Sequence, residues 1–210
     1  MLEIISIVLG PAATNAYIVG EAGGHNSVVI DPAWDGELIV EEATRRGWQI
    51  EQIWLTHAHF DHIGGIAGIV KKTQPAPTIA LHPADFPLYS VQGGAALFGM
   101  RIEAGPEPGI GLKHGHSLVL GNHKFEVRHC PGHTPGHVVF YSATEKVMFC
   151  GDVIFGGSIG RTDFPGGDYD TLLHSINTQI MTLPDETRLL SGHGAETTIG
   201  VERNYNPFLS

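Results

Sequence analysis

Six consecutive residues, His57-Ala58-His59-Phe60-Asp61-His62, constrain this chain more than any other feature. Three imidazoles and a carboxylate in so short a run read as metal ligands, since these are donors that zinc, iron and manganese accept. His57 and His59 are two apart, so in an extended turn they point the same way and grip one ion. Asp61 and His62 follow where the chain turns into a helix, and aim at a neighbouring position. The false-positive risk of such a run is low. The chain carries 13 histidines in 210 residues, which also directs attention to metal chemistry first.

The fold must bring partners to that run. Apolar, β-rich stretches between Gly and Pro punctuation predict strands at 4–9, 15–19, 27–30, 52–55, 78–81, 117–120, 124–129, 138–141, 146–150 and 188–191. Helices are predicted at 35–46, stopped by Gly47, and at 62–72 and 169–181. Strands in two groups with interspersed helices make a mixed α/β or α+β layered domain over residues 1–210. Four of the strands release a potential ligand just past their C-terminal ends: His57, His133, Asp152 and His193. Loops held by a rigid sheet are the usual home of catalytic groups. The stretch 83–111 is rich in Gly and Pro and carries Phe86, Tyr89, Phe98 and Met100, which reads as a lid.

Ligand arithmetic separates one ion from two. His57, His59, Asp61, His62, His133, Asp152 and His193 make seven candidates, whereas a catalytic zinc takes three protein ligands and keeps a position open. Two ions fit if Asp152, which has two carboxylate oxygens, bridges them. The first site is then His57, His59, His133 and Asp152; the second is Asp61, His62, His193 and Asp152. Two ions ~3.5–4 Å apart share a hydroxide and clamp attacked and departing atoms. The donors do not choose between zinc, taken first, and iron or manganese.

Bulk properties exclude other classes. The formal charge of −10, from 12 basic and 22 acidic residues, argues against a nucleic-acid partner. No apolar stretch reaches the ~18 residues of a membrane span. Glu3 stands where a signal peptide would be basic, so a cytoplasmic location is expected. Cys130 and Cys150 are too few for a disulfide framework and read as reduced, buried residues.

The sequence resembles the metallo-β-lactamase superfamily, and within it the compact glyoxalase II-like hydrolases. The resemblance rests on Leu55-Thr56-His57-Ala58-His59-Phe60-Asp61-His62, Cys130-Pro131-Gly132-His133-Thr134-Pro135-Gly136-His137, Gly151-Asp152, Gly160-Arg161-Thr162-Asp163-Phe164 and Ser191-Gly192-His193-Gly194. The segment Glu202-Arg203-Asn204-Tyr205-Asn206-Pro207-Phe208-Leu209 resembles that subgroup's tail, and the match runs from Asn15 onward. It implies an αββα sandwich, two mixed sheets flanked by helices, with the metals at one edge. It also implies hydrolysis of a small thioester, such as a glutathione-linked one, in which a hydroxide shared by the metals and oriented through Asp61 and Asp152 attacks the acyl carbon. A thiolate, whose conjugate acid has a pKa of ~8.5, leaves with little help from an acid. Arg161 stands where such enzymes place a basic residue for the thiol carrier's carboxylate, the alternative being a surface arginine paired with Asp163 or Asp168. Two departures from full-length glyoxalase II concern glutathione. The C-terminal helical domain that binds it there has no counterpart here, and Gly194-Ala195 replaces a Tyr.

Two other readings compete. Persulfide dioxygenases resemble the chain as well, and would hold one iron on His57, His133 and Asp152. A superfamily nuclease would need a basic surface that this charge does not supply. Around the ligands, Asp31 is either an acceptor that orients the ligand loop or a turn-initiating Asp before Pro32. His137 reads as supporting the site, because the ligand positions are already filled. His25, His82, His114, His116, His123, His129 and His174 read as surface or packing residues. Of these, His82 lies nearest the expected lid. The number of copies in an assembly is not legible.

Overall fold

In the computed structural model, which describes residues 1–209, the chain builds two six-stranded sheets almost in sequence order. The first takes β1 (Leu2–Leu9), β2 (Thr14–Glu21), β3 (Asn26–Ile30), β4 (Gln49–Trp54), β5 (Thr78–Leu81) and β6 (Ile110–Gly111), each beside the next. The second begins with β7 (Ser117–Leu120), β8 (His123–His129), β9 (Val138–Ser142) and β10 (Val147–Gly151). A small hairpin of β11 (Ile154–Phe155) and β12 (Ser158–Ile159) intervenes before β13 (Arg188–Ser191) and β14 (Thr197–Thr198) complete it. Its order is β14-β13-β10-β9-β8-β7.

Residue alternation explains the layers. Along β2, Ala16 and Ile18 join Ile39, Ala43, Ile66 and Ile69 in one apolar cluster, while Tyr17 and Val19 join Phe125, Phe140 and Phe149 in another. Successive strand residues point to opposite faces, so a strand apolar at every position must be covered on both. Helices α1 (Gly36–Arg45) and, in part, α3 (Ile66–Lys72) cover the outer face of the first sheet. Before α3 comes the single turn α2 (Phe60–Ile63). Between the sheets, Trp54 lies 5.3 Å from Phe125 and 5.6 Å from Phe140 by ring centroid, and each such burial contributes about 1.5–3 kcal/mol. On the far side Val139, Tyr141 and Met148 pack with Leu172, Ile176, Ile180 and Ile199. Those come from α5 (Tyr169–Ser175), its π-helical continuation Ile176–Ile180, and α6 (Ile199–Tyr205); α4 (Phe86–Ser90) lies earlier in the chain. The αββα sandwich that the resemblance implies is the fold.

Strands occupy all ten expected positions. The helices differ in four places, α6 among them. The expected helix 62–72 is broken into α2 and α3 at Gly64-Gly65, where the Ala33 N–H donates to the His62 carbonyl at 3.2 Å and a Cβ at Gly64 would stand 2.6 Å from the Ala33 carbonyl oxygen and one at Gly65 2.4 Å from that of Pro32. This close approach pins α2 to the end of β3. The expected helix 169–181 turns π-helical after Ser175. Residues 83–111 hold more structure than expected, with 3₁₀ turns at Pro83–Asp85 and Gln92–Phe98, α4 between them, and β6. Helix α6 and the two-residue strands β6, β11, β12 and β14 lie outside the expected set. No helix among the described residues is long and apolar enough to cross a membrane. Cys130 and Cys150 are buried free thiols, and burial raises the pKa of both.

Candidate metal centre

Strand direction gathers the site. Strand β10 runs parallel to β13, and β9 is antiparallel to both β8 and β10, so β8, β10 and β13 end at one edge of the second sheet. Their next loops carry His133, Asp152 and His193. From the first sheet, β4 delivers His57. The Thr14–His193 bridge and the bond from Asn15 N–H to the Gly192 carbonyl, at 2.7 Å, join the two sheets at this edge.

The seven expected ligands come together here as two groups around Asp152. One nitrogen from each of His57, His59 and His133 lies within 4.8 Å of the other two, as do ligand atoms of Asp61, His62 and His193. Asp152 Oδ2 lies 3.6 Å from His133 Nε2 and 3.5 Å from His193 Nε2, and its Oδ1 lies 3.3 Å from His62 Nε2. His59 Nδ1 and His133 Nε2 are 2.9 Å apart. The floor is buried, with His57 and His62 fully so, while His193 is 30% exposed and marks the open side.

The atoms behind each ring decide which nitrogen is free. Asp31 Oδ2 accepts from the Thr56 hydroxyl at 2.6 Å and faces His62 Nδ1 at 2.9 Å. The committed Thr56 hydroxyl then accepts from His57 Nδ1, 3.0 Å away. The Arg161 carbonyl accepts from His133 Nδ1 at 2.7 Å. In each ring Nε2 is left to face the centre. The buried atoms His57 Nε2, His62 Nε2 and Asp152 Oδ1 make no hydrogen bond. Leaving such groups unsatisfied costs about 1–3 kcal/mol each, and cations held between them would remove that cost. The donor set therefore fits two divalent ions.

Electrostatics divides the groups. Burial lowers the pKa of His57, and neighbouring imidazoles lower it further; the same causes take His59 down to about 3. In the second group burial opposes charge, but the carboxylates prevail. His62 is raised by Asp152, Asp61 and Asp31, and His193 reaches about 10 through hydrogen bonds to Asp152 and Asp61. Asp61 falls to about 2 because His62 and His193 outweigh its burial, and Asp152 is lowered by the same neighbours against burial.

Asp31 accepts from Thr56 and faces His62 at φ +47°, a strained value for a non-glycine residue. His137 lies behind Asp152, whose backbone N–H donates to His137 Nε2 at 3.0 Å, and its ring stacks on His57 at 4.7 Å. The Arg161 guanidinium lies over the Phe164 ring at 3.8 Å and forks onto Asp163 at 2.7 and 2.6 Å. It lines the mouth above the donors, a cavity of about 200 Å³, together with Phe60, Phe98 and Phe164. His82 stacks on His129 outside this lining.

Sequence reasoning passed over several supports. The Thr14 hydroxyl donates to Asp61 Oδ2 at 2.9 Å. Asn15 and Tyr17 hold the His193 loop through the Ser191 carbonyl, at 2.9 and 2.7 Å. Buried Asp85 binds two ligand loops; burial raises its pKa, opposed by hydrogen bonds from Thr134, Gly136 and Ala58. None of these carries a local signal, because each partner is distant in sequence.

The chain belongs to the metallo-β-lactamase superfamily, whose family model matches residues 9–193. It is 38% identical over 186 residues to the hydroxyacylglutathione hydrolase GloC of Haemophilus influenzae, covering 88% of each chain. Among solved structures it is similar to the BLEG-1 B3 metallo-β-lactamase, with TM-score 0.91, 39% identity and full coverage of both chains. It is likewise similar to TTHA1623 in a di-iron-bound form, with TM-score 0.88, 40% identity, and 98% and 100% coverage. The superfamily is one of metallo-hydrolases, typically with two metals, and the donor groups described here accord with that.

Proposed function

We propose that this protein is a dinuclear metal-dependent thioester hydrolase that cleaves a hydroxyacyl thioester such as S-lactoylglutathione. The observation that carries the reading is the sharing of Asp152 between two complete donor groups, at 3.3 to 3.6 Å from His62, His193 and His133. His57, His59 and His133 would hold one ion and Asp61, His62 and His193 the other, with Asp152 reaching both. Bound there, divalent ions, zinc ahead of iron or manganese, would polarise the acyl carbonyl and make water nucleophilic at neutral pH. Thr14 holds Asp61 toward the centre, and Asp31 fixes His62. Phe60, Phe98 and Phe164 shield one side of the mouth from water, and Arg161 stands where a thiol carrier's carboxylate would arrive. A thiolate leaves without a strong acid, so the site needs no additional proton donor. The 38% identical hydroxyacylglutathione hydrolase supports this substrate class. Two free thiols suit the reducing cytoplasm.

The competing dioxygenase reading uses His57, His133 and Asp152 and leaves the group of Asp61, His62 and His193 without a task. The experiment is metal-reconstituted protein with S-lactoylglutathione, followed at the thioester absorbance. Metal-dependent loss supports the proposal, and its absence overturns the substrate. Oxygen consumption with glutathione persulfide at one iron per chain would replace the reaction altogether.

A further inference from the structure

Asp85 is fully buried and joins the two loops that present the first donor group. Its Oδ2 accepts from the Ala58 N–H at 3.1 Å and from the Thr134 hydroxyl at 2.8 Å, and its Oδ1 accepts from the Gly136 N–H at 2.7 Å. Ala58 lies between His57 and His59, and Thr134 follows His133. One carboxylate therefore spans 27 residues to one loop and 49 to the other. The approach is close on both sides. A Cβ at Gly136 would stand 2.7 Å from Asp85 N and Oδ1, and one at Gly93, in the same segment as Asp85, would stand 2.2 Å from Phe60 N. The second group is held by other means, through Thr14, Asn15, Tyr17 and Asp31.

We infer that Asp85 is a positioning residue for the first metal group, setting the separation of His59 from His133 by clasping their loops, and that residues 83–98 act as a brace across the site. A carboxylate suits this task because it can accept all three donors at once. An amide can keep two of them on its oxygen, and must then turn its NH₂ toward a donor. The inference rests on the metal-centre reading but not on the substrate, since metal binding reads it whether or not a thioester is cleaved.

The test is zinc titration of metal-free, full-length protein against a chromophoric chelator. Asp85→Asn is placed in two backgrounds: His193→Ala, which retains the first group, and His59→Ala, which retains the second. Changing a residue that orients ligands typically costs about 10–100-fold in metal affinity. Asp85→Asn is expected to weaken zinc binding at least about tenfold in the His193→Ala background, and to leave it within about twofold in the His59→Ala background. Equal weakening in both, or none in either, overturns the inference. If Asp85→Asn does not fold, Thr134→Val removes a single donor and carries the same test, with a smaller shift of the same selectivity. Wild-type protein that binds no zinc overturns both this inference and the metal-centre reading, whereas normal zinc binding without thioester cleavage removes only the substrate.

Discussion

His193 Nε2 stands 3.4 Å from Asp61 Oδ2, and without metal this pair holds a proton that a cation must displace. Burial works against charge on His193, but hydrogen bonds to Asp152 and Asp61 raise its pKa to about 10. His62 is raised for the same reason, its burial outweighed by Asp152, Asp61 and Asp31. Near pH 7 His193 is therefore protonated beside the ionised Asp61 and Asp152, and the same carboxylates favour the charged form of His62. A divalent ion entering this group displaces the proton held by His193. Calorimetric zinc titration in buffers of differing ionisation enthalpy should show proton release on filling this group, from His193 at least, and an affinity that rises with pH toward 10. His57 and His59 are lowered by burial and are already neutral, so they should release none. Zinc uptake without proton release would contradict the arrangement.

Asp31 serves two ligand-bearing segments at once. It accepts from Thr56 N–H at 2.8 Å and from the Thr56 hydroxyl at 2.6 Å, and it faces His62 Nδ1 at 2.9 Å. Asp31→Ala strips all three buried partners and should cost ~3–5 kcal/mol in denaturant unfolding of the metal-free protein. Zinc affinity should fall at least about tenfold. Asp31→Asn, which keeps an acceptor for Thr56, should lose less on both measures. An alanine variant with unchanged unfolding and metal binding would show that Asp31 merely shapes the turn.

Much of this centre was legible because chemistry concentrated its ligands. His57 to His62 is one run, and His133, Asp152 and His193 each follow a strand whose apolar pattern marks its end. The supports were hidden for a physical reason. Thr14, Asn15 and Asp85 act across 47, 176 and up to 51 residues, and only the closed sandwich brings each to its partner. The helix break at Gly64-Gly65 was hidden likewise, because the backbone that packs against it comes from residues 32–34. The resemblance of the C-terminal segment acquires a cause in the same way. Buried Glu202 accepts from the Gly157 N–H at 2.8 Å and from Asn206 at 2.8 Å, so that segment anchors the hairpin preceding Arg161.

Phe98 is 44% exposed, yet its ring lies 5.0 Å from Phe60 and 5.6 Å from Phe164 at the mouth of the centre. Its exposure means that Phe98→Ala should shift the melting temperature little. An aromatic pair contributes about 0.5–1.5 kcal/mol, so loss of the ring should raise KM about two- to tenfold for an arylacyl thioester. A short lactoyl thioester, which reaches less of the wall, should be affected less, with kcat nearly constant for both. Equal effects on the two substrates would show that the wall does not contact the acyl group.

Arg161 offers the sharpest test of the thiol carrier. Its guanidinium is committed to Asp163 through Nε and Nη2, and its backbone carbonyl separately holds His133. A side-chain substitution therefore leaves the His133 contact in place. If the guanidinium receives the carrier's carboxylate, that carboxylate competes with Asp163 for the same fork. Arg161→Met should then raise KM for a glutathione thioester, and Asp163→Asn should lower it, while neither changes kcat. Both should leave KM unchanged for a thioester of an uncharged thiol. The two variants move KM in opposite directions only if Asp163 is a competitor. If Asp163 instead orients Arg161 for binding, both raise it. Identical behaviour on charged and uncharged carriers would remove Arg161 from recognition and leave its carbonyl as its contribution to the site.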